Sequence, residues 1–173
     1  TGRIGVLMLA ARKPLQEPHV DYVVRAVAVG FGNTKFVSNV AGSDIRCACF
    51  PSVAYPTMRE PSGQPGYERR KTVAIPINGL FYEVGPEVEL AADTFRATQM
   101  HDRYTETPEY MALLRGALAL MKQPTIDLLV VGLPVASLTT KKAALEKAVT
   151  RTHDIGNGKT VVVRKALAIA QPQ

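Results

Sequence analysis

Residues 25–37, RAVAVGFGNTKFV, hold the pattern from which the fold can be predicted. An apolar run over residues 27–29 leads into a centre that contains Gly30, Gly32 and Asn33, and a second apolar arm follows it. Two apolar arms around such a centre are typical of a β-hairpin, and glycines allow backbone angles that other residues resist. The pattern predicts antiparallel strands over residues 22–31 and 34–40.

The centre of this hairpin carries groups that a phosphate site needs. Backbone amides in a turn can point at an anion, and Asn33, Thr34 and Lys35 would add side-chain donors. A plain hairpin with a solvated lysine explains the same spacing. The residues of the hairpin leave both interpretations open.

The stretch GFGNTKF resembles the first phosphate motif of the actin-like plasmid-segregation ATPases of the ParM/StbA type. Within that family it is especially similar to the branch called PRTRC system protein D. Five further stretches agree in type and order: CACFPSVAYP, LFYEVGPE, RYTETPEYMALLRGAL, DLLVVGLPV and VRKALAIAQPQ. Together the motifs cover roughly residues 25–173 and are more specific as a set than singly.

The resemblance implies an α/β fold, the first domain of the actin-like, ribonuclease-H-like architecture. That domain is a mixed sheet with an antiparallel three-strand meander and flanking helices, expected here over residues 22–173. Residues 1–21 would be an N-terminal extension of unknown role, and the second domain of the family would be absent. Family members bind ATP with Mg²⁺, polymerise, and segregate or maintain plasmid DNA through an adaptor protein.

The resemblance also implies site residues. The nucleotide's phosphates would be held by Gly30, Phe31, Gly32, Asn33, Thr34 and Lys35. Gln173 is the nearest match to the residue that orients the attacking water in the family, and Gln171 is the runner-up. Because phosphoryl transfer needs positioning from both domains, we expect this chain alone to be inactive as an ATPase.

Ala28 departs from the family, which has an aspartate at this position that helps to place Mg²⁺ through water. Alanine can neither ligate nor hydrogen-bond a metal shell, and the sequence suggests no other metal site. This departure favours, as an alternative, a degenerate non-catalytic actin-like assembly module. A ribonuclease-H-like nuclease is a third interpretation, but it needs clustered carboxylates, and the first strand offers only Asp21.

Composition is consistent with one globular domain that has no membrane span. The chain has 173 residues, of which 46% are hydrophobic, and a net charge of +6. This charge permits a nucleotide or DNA partner without requiring one. No apolar run approaches the roughly 20 residues that cross a bilayer, and the run over residues 4–11 is too short for a clear signal peptide. We expect a cytoplasmic protein in which Cys47 and Cys49 are reduced core thiols on one strand face.

The remaining elements follow from periodicity and turn signals. We predict strands over residues 45–50, 72–77, 80–84, 126–131 and 160–170, and helices over 87–97, from Thr107 to Pro124, and over 139–151. Asn78-Gly79 indicates a hairpin, and Thr107 followed by Pro108 is a good helix start. The apolar run over residues 126–131 favours a buried parallel strand. Residues 51–70 and 101–103 are expected to be loops, and Thr139 or Thr140 is expected to cap the last helix.

Overall fold

The computed structural model describes residues 22–58, 71–90 and 104–171. Their strands are β1 Val24–Val29, β2 Asn33–Ala41, β3 Asp44–Pro51, β4 Tyr55–Thr57, β5 Val73–Ile77, β6 Leu80–Val84, β7 Thr125–Ile126, β8 Leu128–Leu133, β9 Thr152–Gly156, β10 Lys159–Val163 and β11 Ala166–Ala170. Their α-helices are α1 Pro108–Met121 and α2 Val135–Val149, and short 3-10 helices lie at Val88–Leu90 and Tyr104–Glu106. None of these helices is long and apolar enough to cross a membrane.

The main sheet has five strands in the order β11-β8-β1-β2-β3. Strands β1, β2 and β3 form the predicted antiparallel meander. Strand β8 pairs with β1 in parallel, and β11 pairs with β8 in parallel. The prediction that the meander and the buried apolar run share one sheet is confirmed for β8.

Two smaller sheets flank the main one. Strands β4, β6 and β5 form an antiparallel sheet that includes the hairpin predicted at Asn78-Gly79. Asn78 and Gly79 both have positive φ, as a tight hairpin turn of this kind demands. Strands β7, β10 and β9 form the other small sheet.

Helix α1 begins as its sequence predicts. Thr107 is extended at the N-cap, and its hydroxyl accepts a hydrogen bond from Tyr110 N at 3.2 Å. Pro108 follows in the first turn, where its missing N–H costs nothing. The helix ends at Lys122, which has the left-handed conformation common after a last helical turn.

One face of the main sheet is buried under the two helices. Strand residues alternate between the faces, and Val27, Val29, Leu129, Val131 and Ala168 are all nearly inaccessible. They belong to one core with Leu113, Leu114 and Leu118 of α1 and Leu145 and Val149 of α2.

The opposite face, which we call the open face, is almost wholly apolar and carries neither α1 nor α2. Strand alternation and pairing register place on it Val24, Ala26, Ala28, Lys35, Val37, Val40, Ile45, Cys47, Cys49, Leu128, Val130, Gly132, Leu167 and Ile169. Ile45 is 61% exposed and Ile169 is 46% exposed. Exposed residues on this face are not predicted from the sequence, because apolar strand residues favour burial.

The cysteine prediction is therefore half right. Cys47 and Cys49 share one face of β3, as their spacing requires, but both thiols are free and exposed. They are not core thiols, because they lie on the open face at the edge strand of the sheet.

Two strands that were predicted as continuous are split in the structure. The strand expected over residues 126–131 is split at Asp127, whose carboxylate accepts a hydrogen bond from Val23 N at 2.8 Å. The strand expected over residues 160–170 is also split, and β10 and β11 lie in different sheets. Arg164 and Lys165 connect the two sheets. Arg164 N donates to Ile126 O at 2.9 Å, and Lys165 O accepts a hydrogen bond from Leu129 N at 2.9 Å.

Helix α2 begins four residues before its predicted start. Pro134 occupies the N-cap position without a side-chain hydrogen bond to the helix. Thr139 and Thr140 lie inside the helix, where the Thr140 hydroxyl donates to Ser137 O at 3.4 Å. Pro134 both ends β8 and sets a backbone angle suited to the start of a helix.

Other predictions are only partly covered. The helix expected over residues 87–97 has a 3-10 turn at Val88–Leu90, and residues 91–97 lie outside the described residues. The loop expected over residues 51–70 contains β4, and its residues 59–70 lie outside them. The extension 1–21, the loop 101–103 and Gln173 also lie outside the described residues.

Candidate functional site

The loop between β1 and β2 lies at the carboxyl edge of the three parallel strands. Strands β1, β8 and β11 run in one direction and end at Val29, Leu133 and Ala170. The loop Gly30–Gly32, the turn at Pro134 and Gln171 follow directly after these ends. Ligands of open α/β sheets bind beyond the carboxyl ends of parallel strands, so this edge is the candidate site.

Gly30 allows the tight closure of the loop. Its amide donates to Asn33 O at 3.0 Å, and a Cβ at residue 30 would lie 2.9 Å from the same oxygen. A Cβ at Gly32 would meet nothing within 4 Å, and neither glycine has positive φ. The expectation that both glycines serve unusual backbone angles is wrong, because Gly30 is needed for a close approach and Gly32 is not constrained.

Ser52 fastens the loop to the end of β3. Its amide donates to Gly32 O at 2.9 Å, and its hydroxyl shares a hydrogen bond with Thr34 Oγ1 at 3.0 Å. Thr34 is fully buried. Its side chain therefore holds the loop in place and is not free to face a ligand. Ser52 has no local sequence signal, since only the pairing of β2 with β3 brings it beside Thr34.

Four of the six predicted nucleotide-binding residues remain open to a ligand. Lys35 and Asn33 are exposed, and Phe31 is 77% exposed at the tip. The amides of Phe31 and Gly32 donate to no other residue in the described part of the chain. This arrangement offers two backbone donors and one ammonium group to an anion.

A groove of about 280 Å³ on the open face begins beside this loop. Ala28, Lys35, Gly132 and Gln171 all line it. Gln171 is anchored by its amide, which donates to Leu133 O at 2.7 Å. A Cβ at Gly132 would lie 2.4 Å from Gln171 Cγ, so this glycine makes room for the Gln171 side chain. The structure thus brings the second glutamine candidate to the same groove as Lys35.

Comparison with known proteins decides the family. The family described as "Actin like proteins N terminal domain" matches residues 26–173. The chain belongs to this family. Among curated proteins no match is found.

Solved structures with the same architecture agree with this assignment of the actin-like domain. The apo ParM protein of pSK41 has a TM-score of 0.60 at 19% identity, over 86% of this chain and 49% of its own. An AlfA filament bound to AMPPNP has a TM-score of 0.59 at 16% identity, over 87% and 55%. Ta0583, an archaeal actin homolog, has a TM-score of 0.57 at 23% identity, over 86% and 45%.

These likenesses show the fold alone, because the identities are low. The chain spans about half the length of the solved structures that it matches. The expected fold class is confirmed: this is the first domain of the actin-like fold, with a three-strand meander in a mixed sheet and flanking helices.

The actin-like site fits a phosphate group but offers no ligand set for Mg²⁺. Ala28 lies directly opposite Lys35 in the β1–β2 register and is half-buried beside the groove. Among residues 22–58, 71–90 and 104–171, no three His, Cys, Asp or Glu side chains gather as a metal site. Mg²⁺ is usually held by one or two carboxylates, and none of the described residues that line the groove is a carboxylate.

Proposed function

We propose that this chain is the N-terminal half of an actin-like ATP-binding protein that polymerises for plasmid DNA segregation or maintenance. The observation that carries the proposal is the meeting of Lys35, the free loop amides and Gln171 at the carboxyl edge of the parallel strands. A lysine with inward-pointing amides is a common phosphate site.

Each group would have its own task in this site. The Lys35 ammonium and the amides of Phe31 and Gly32 would bind the nucleotide's phosphates and stabilise charge that develops in phosphoryl transfer. Gln171 or Gln173 would orient the attacking water. Hydrolysis would depend on the second half of the protein, because phosphoryl transfer requires groups positioned around the whole nucleotide.

Self-association is part of the same proposal. One of the similar structures is a filament bound to AMPPNP, and head-to-tail contacts of the actin-like type can continue into filaments. The open face supplies apolar area of the kind that marks protein contacts. An adaptor protein on plasmid DNA would be the other partner, and the protein would work in the cytoplasm.

The alternative function is a non-catalytic assembly module. Ala28 favours it, since the position that faces the phosphate loop lacks the carboxylate that would organise metal-bound waters. A nuclease of the ribonuclease-H type is not supported, because the described residues hold no carboxylate cluster for two metals.

Titration calorimetry with ATP can separate the two functions, using the chain joined to its second domain. The parent protein, Ala28→Asp and Lys35→Ala are titrated with Mg²⁺ present and again with a chelator. We expect the parent affinity to depend weakly on Mg²⁺. Ala28→Asp should raise the affinity for Mg²⁺-ATP more than that for metal-free ATP, because a carboxylate would face the phosphates.

Lys35→Ala should weaken both affinities about tenfold or more, because it removes a charged hydrogen-bond donor. Lys159→Ala, an exposed lysine of β10, is the matched control and should leave both unchanged. If the parent binds no ATP under either condition, the assembly module is the correct function. If Ala28→Asp binds Mg²⁺-ATP no better than the parent, position 28 does not organise the metal.

A further inference from the structure

A separate cavity of about 300 Å³ is lined by residues from the start of α1 and from α2. We call it the α1–α2 pocket. The turn after β5 closes one side of it, and Ile77, Met111 and Leu145 form apolar walls. It shares no lining residue with the groove beside the phosphate loop. The proposed function does not use it.

Three basic side chains from different parts of the chain converge on this pocket. Arg115 comes from α1, Lys141 from α2 and Arg151 from the residue pair after α2. Burial and the nearby positive charge of Arg151 lower the pKa of Arg115, and Asp154 opposes this effect. The positive charges of Arg115 and Arg151 thus repel each other, and an anion bound in the pocket would reduce this repulsion.

Arg115 is held in place by the fold. Its Nε donates to His153 Nδ1 at 3.2 Å, and its terminal NH1 donates to Pro76 O at 3.4 Å. His153 is fully buried. A guanidinium group fixed on one side and open to a cavity on the other is prepared to bind a ligand without losing further rotamer freedom.

The Lys141 ammonium gives the most direct sign of a ligand. Its Nζ atom is buried, yet it makes no hydrogen bond to any residue in the part of the chain that the structure describes. An ammonium group without a partner can donate to an anionic acceptor, and the flexible side chain of this half-buried lysine can turn its Nζ toward the cavity. Its position at the wall of the pocket fits an anionic partner there.

The balance of charge in the pocket is positive. Among the described residues that line the pocket, Glu106 is the one carboxylate, and it is exposed. Asp154 is near Arg115 but already accepts a hydrogen bond from Gly156 N at 2.9 Å. The start of α1, at Thr107 and Pro108, also faces the pocket, and the first turn of a helix carries partial positive charge.

We propose that the α1–α2 pocket binds a small phosphorylated molecule with an apolar or aromatic portion. A phosphate has enough charge and enough acceptor oxygens to contact Arg115, Lys141 and Arg151 together. The apolar walls at Ile77, Met111 and Leu145 would hold the rest of the ligand. A volume of about 300 Å³ suits a ligand of this size.

Phenyl phosphate is a suitable probe because it combines a phosphate with an aromatic ring. Titration calorimetry on the 173-residue chain should show binding that Lys141→Gln weakens about tenfold or more, the usual effect of losing a charged hydrogen bond. Lys147→Gln is the matched control, since it removes the same charge from an exposed position of α2. Benzoate, which has the ring but a carboxylate, should bind more weakly than phenyl phosphate.

Two further variants distinguish binding in the pocket from effects on folding and from binding at the phosphate loop. Arg151→Gln changes an exposed side chain and should weaken binding even if Lys141→Gln disturbs folding. Lys35→Gln removes the lysine of the phosphate loop, so phenyl phosphate binding that persists in this variant is not due to the loop. The proposal is overturned if phenyl phosphate does not bind, if Lys147→Gln weakens it as much as Lys141→Gln, if Lys35→Gln abolishes it, or if benzoate binds as tightly.

Discussion

His153 is a buried polar residue that links helix α1 to the end of helix α2. Its Nε2 donates to Val149 O at 2.7 Å, so its Nδ1 is the acceptor for Arg115 Nε at 3.2 Å. The ring is therefore neutral, with the proton on Nε2. Burial lowers the pKa of His153 to about 4, and the positive charges of Arg115 and Arg151 add to this effect while the Val149 carbonyl opposes it.

The lowered pKa predicts that acid destabilises the protein. In the unfolded chain the histidine gains its proton near its ordinary pKa, whereas the folded protein gains it only near pH 4. The stabilisation is complete above about pH 6.5 and is lost as the pH falls toward 4, up to about 3 kcal/mol. Urea unfolding at several pH values between 7 and 4 measures this loss.

His153→Gln is the control for this titration. Glutamine keeps a donor and an acceptor but does not change charge, so the free energy of unfolding of this variant should depend less on pH over the same range. An equal pH dependence in the parent and the variant would show that other groups, not His153, cause the acid sensitivity.

At the scale of elements, helix α1 and strand β6 approach closely at Gly116. A Cβ at residue 116 would lie 2.4 Å from Val84 Cγ2, and Val84 is fully buried. This contact limits the distance between helix α1 and the small sheet of β4, β5 and β6. Glycine weakens a helix interior by about 1 kcal/mol relative to alanine, so packing and not helix propensity explains the residue here.

Gly116→Ala should therefore destabilise the protein by about 1–2 kcal/mol, because overpacking outweighs the gain in helix propensity. Thermal or urea unfolding measures the change. Val84→Ala removes the side chain that the new methyl group would meet, so the double variant should be more stable than the sum of the two single effects predicts. Additive effects would show that residues 84 and 116 do not restrict each other.

In the molecule as a whole, the main sheet has an apolar open face that neither α1 nor α2 covers. Parallel strands such as β1, β8 and β11 are usually covered on both faces, but here the helices α1 and α2 cover one face only. An exposed apolar surface that extends over five strands is typical of a contact with another protein. A second copy of the chain has the same apolar face, so two copies could cover each other's open faces.

We expect the 173-residue chain to self-associate through the open face. Ile45→Glu places a charge on this face at a residue that is 61% exposed. It should weaken association about tenfold or more, because an unpaired charge is costly to bury in an apolar contact. Val135→Glu makes the same change at a residue of α2 that is 57% exposed but lies off this face.

Light scattering after gel filtration, over a range of concentrations, compares the masses of the parent and the two variants. Only Ile45→Glu should shift the protein toward the monomer. A parent that stays monomeric at every concentration, or equal effects of the two substitutions, would contradict association through the open face.

The features that the sequence determined are those encoded in neighbouring residues. They include the hairpin over residues 25–37, the meander, the start of α1 at Thr107 and a parallel strand within residues 126–131. Apolar runs, turn residues and capping predict them. These signals span a few residues, and the local backbone responds to them directly. The position of the candidate loop at the end of β1 followed from the same signals and from the family resemblance.

Which side chains are exposed and can contact a ligand depends on the tertiary structure. Thr34 was predicted as a ligand donor, but it is buried and hydrogen-bonded to Ser52. The two cysteines were predicted as core residues, but they are exposed on the open face. The split of the last strand between two sheets and the meeting of Arg115, Lys141 and Arg151 have no local signal either. Each depends on contacts between residues far apart in the chain, and these contacts form only when the sheets and helices pack.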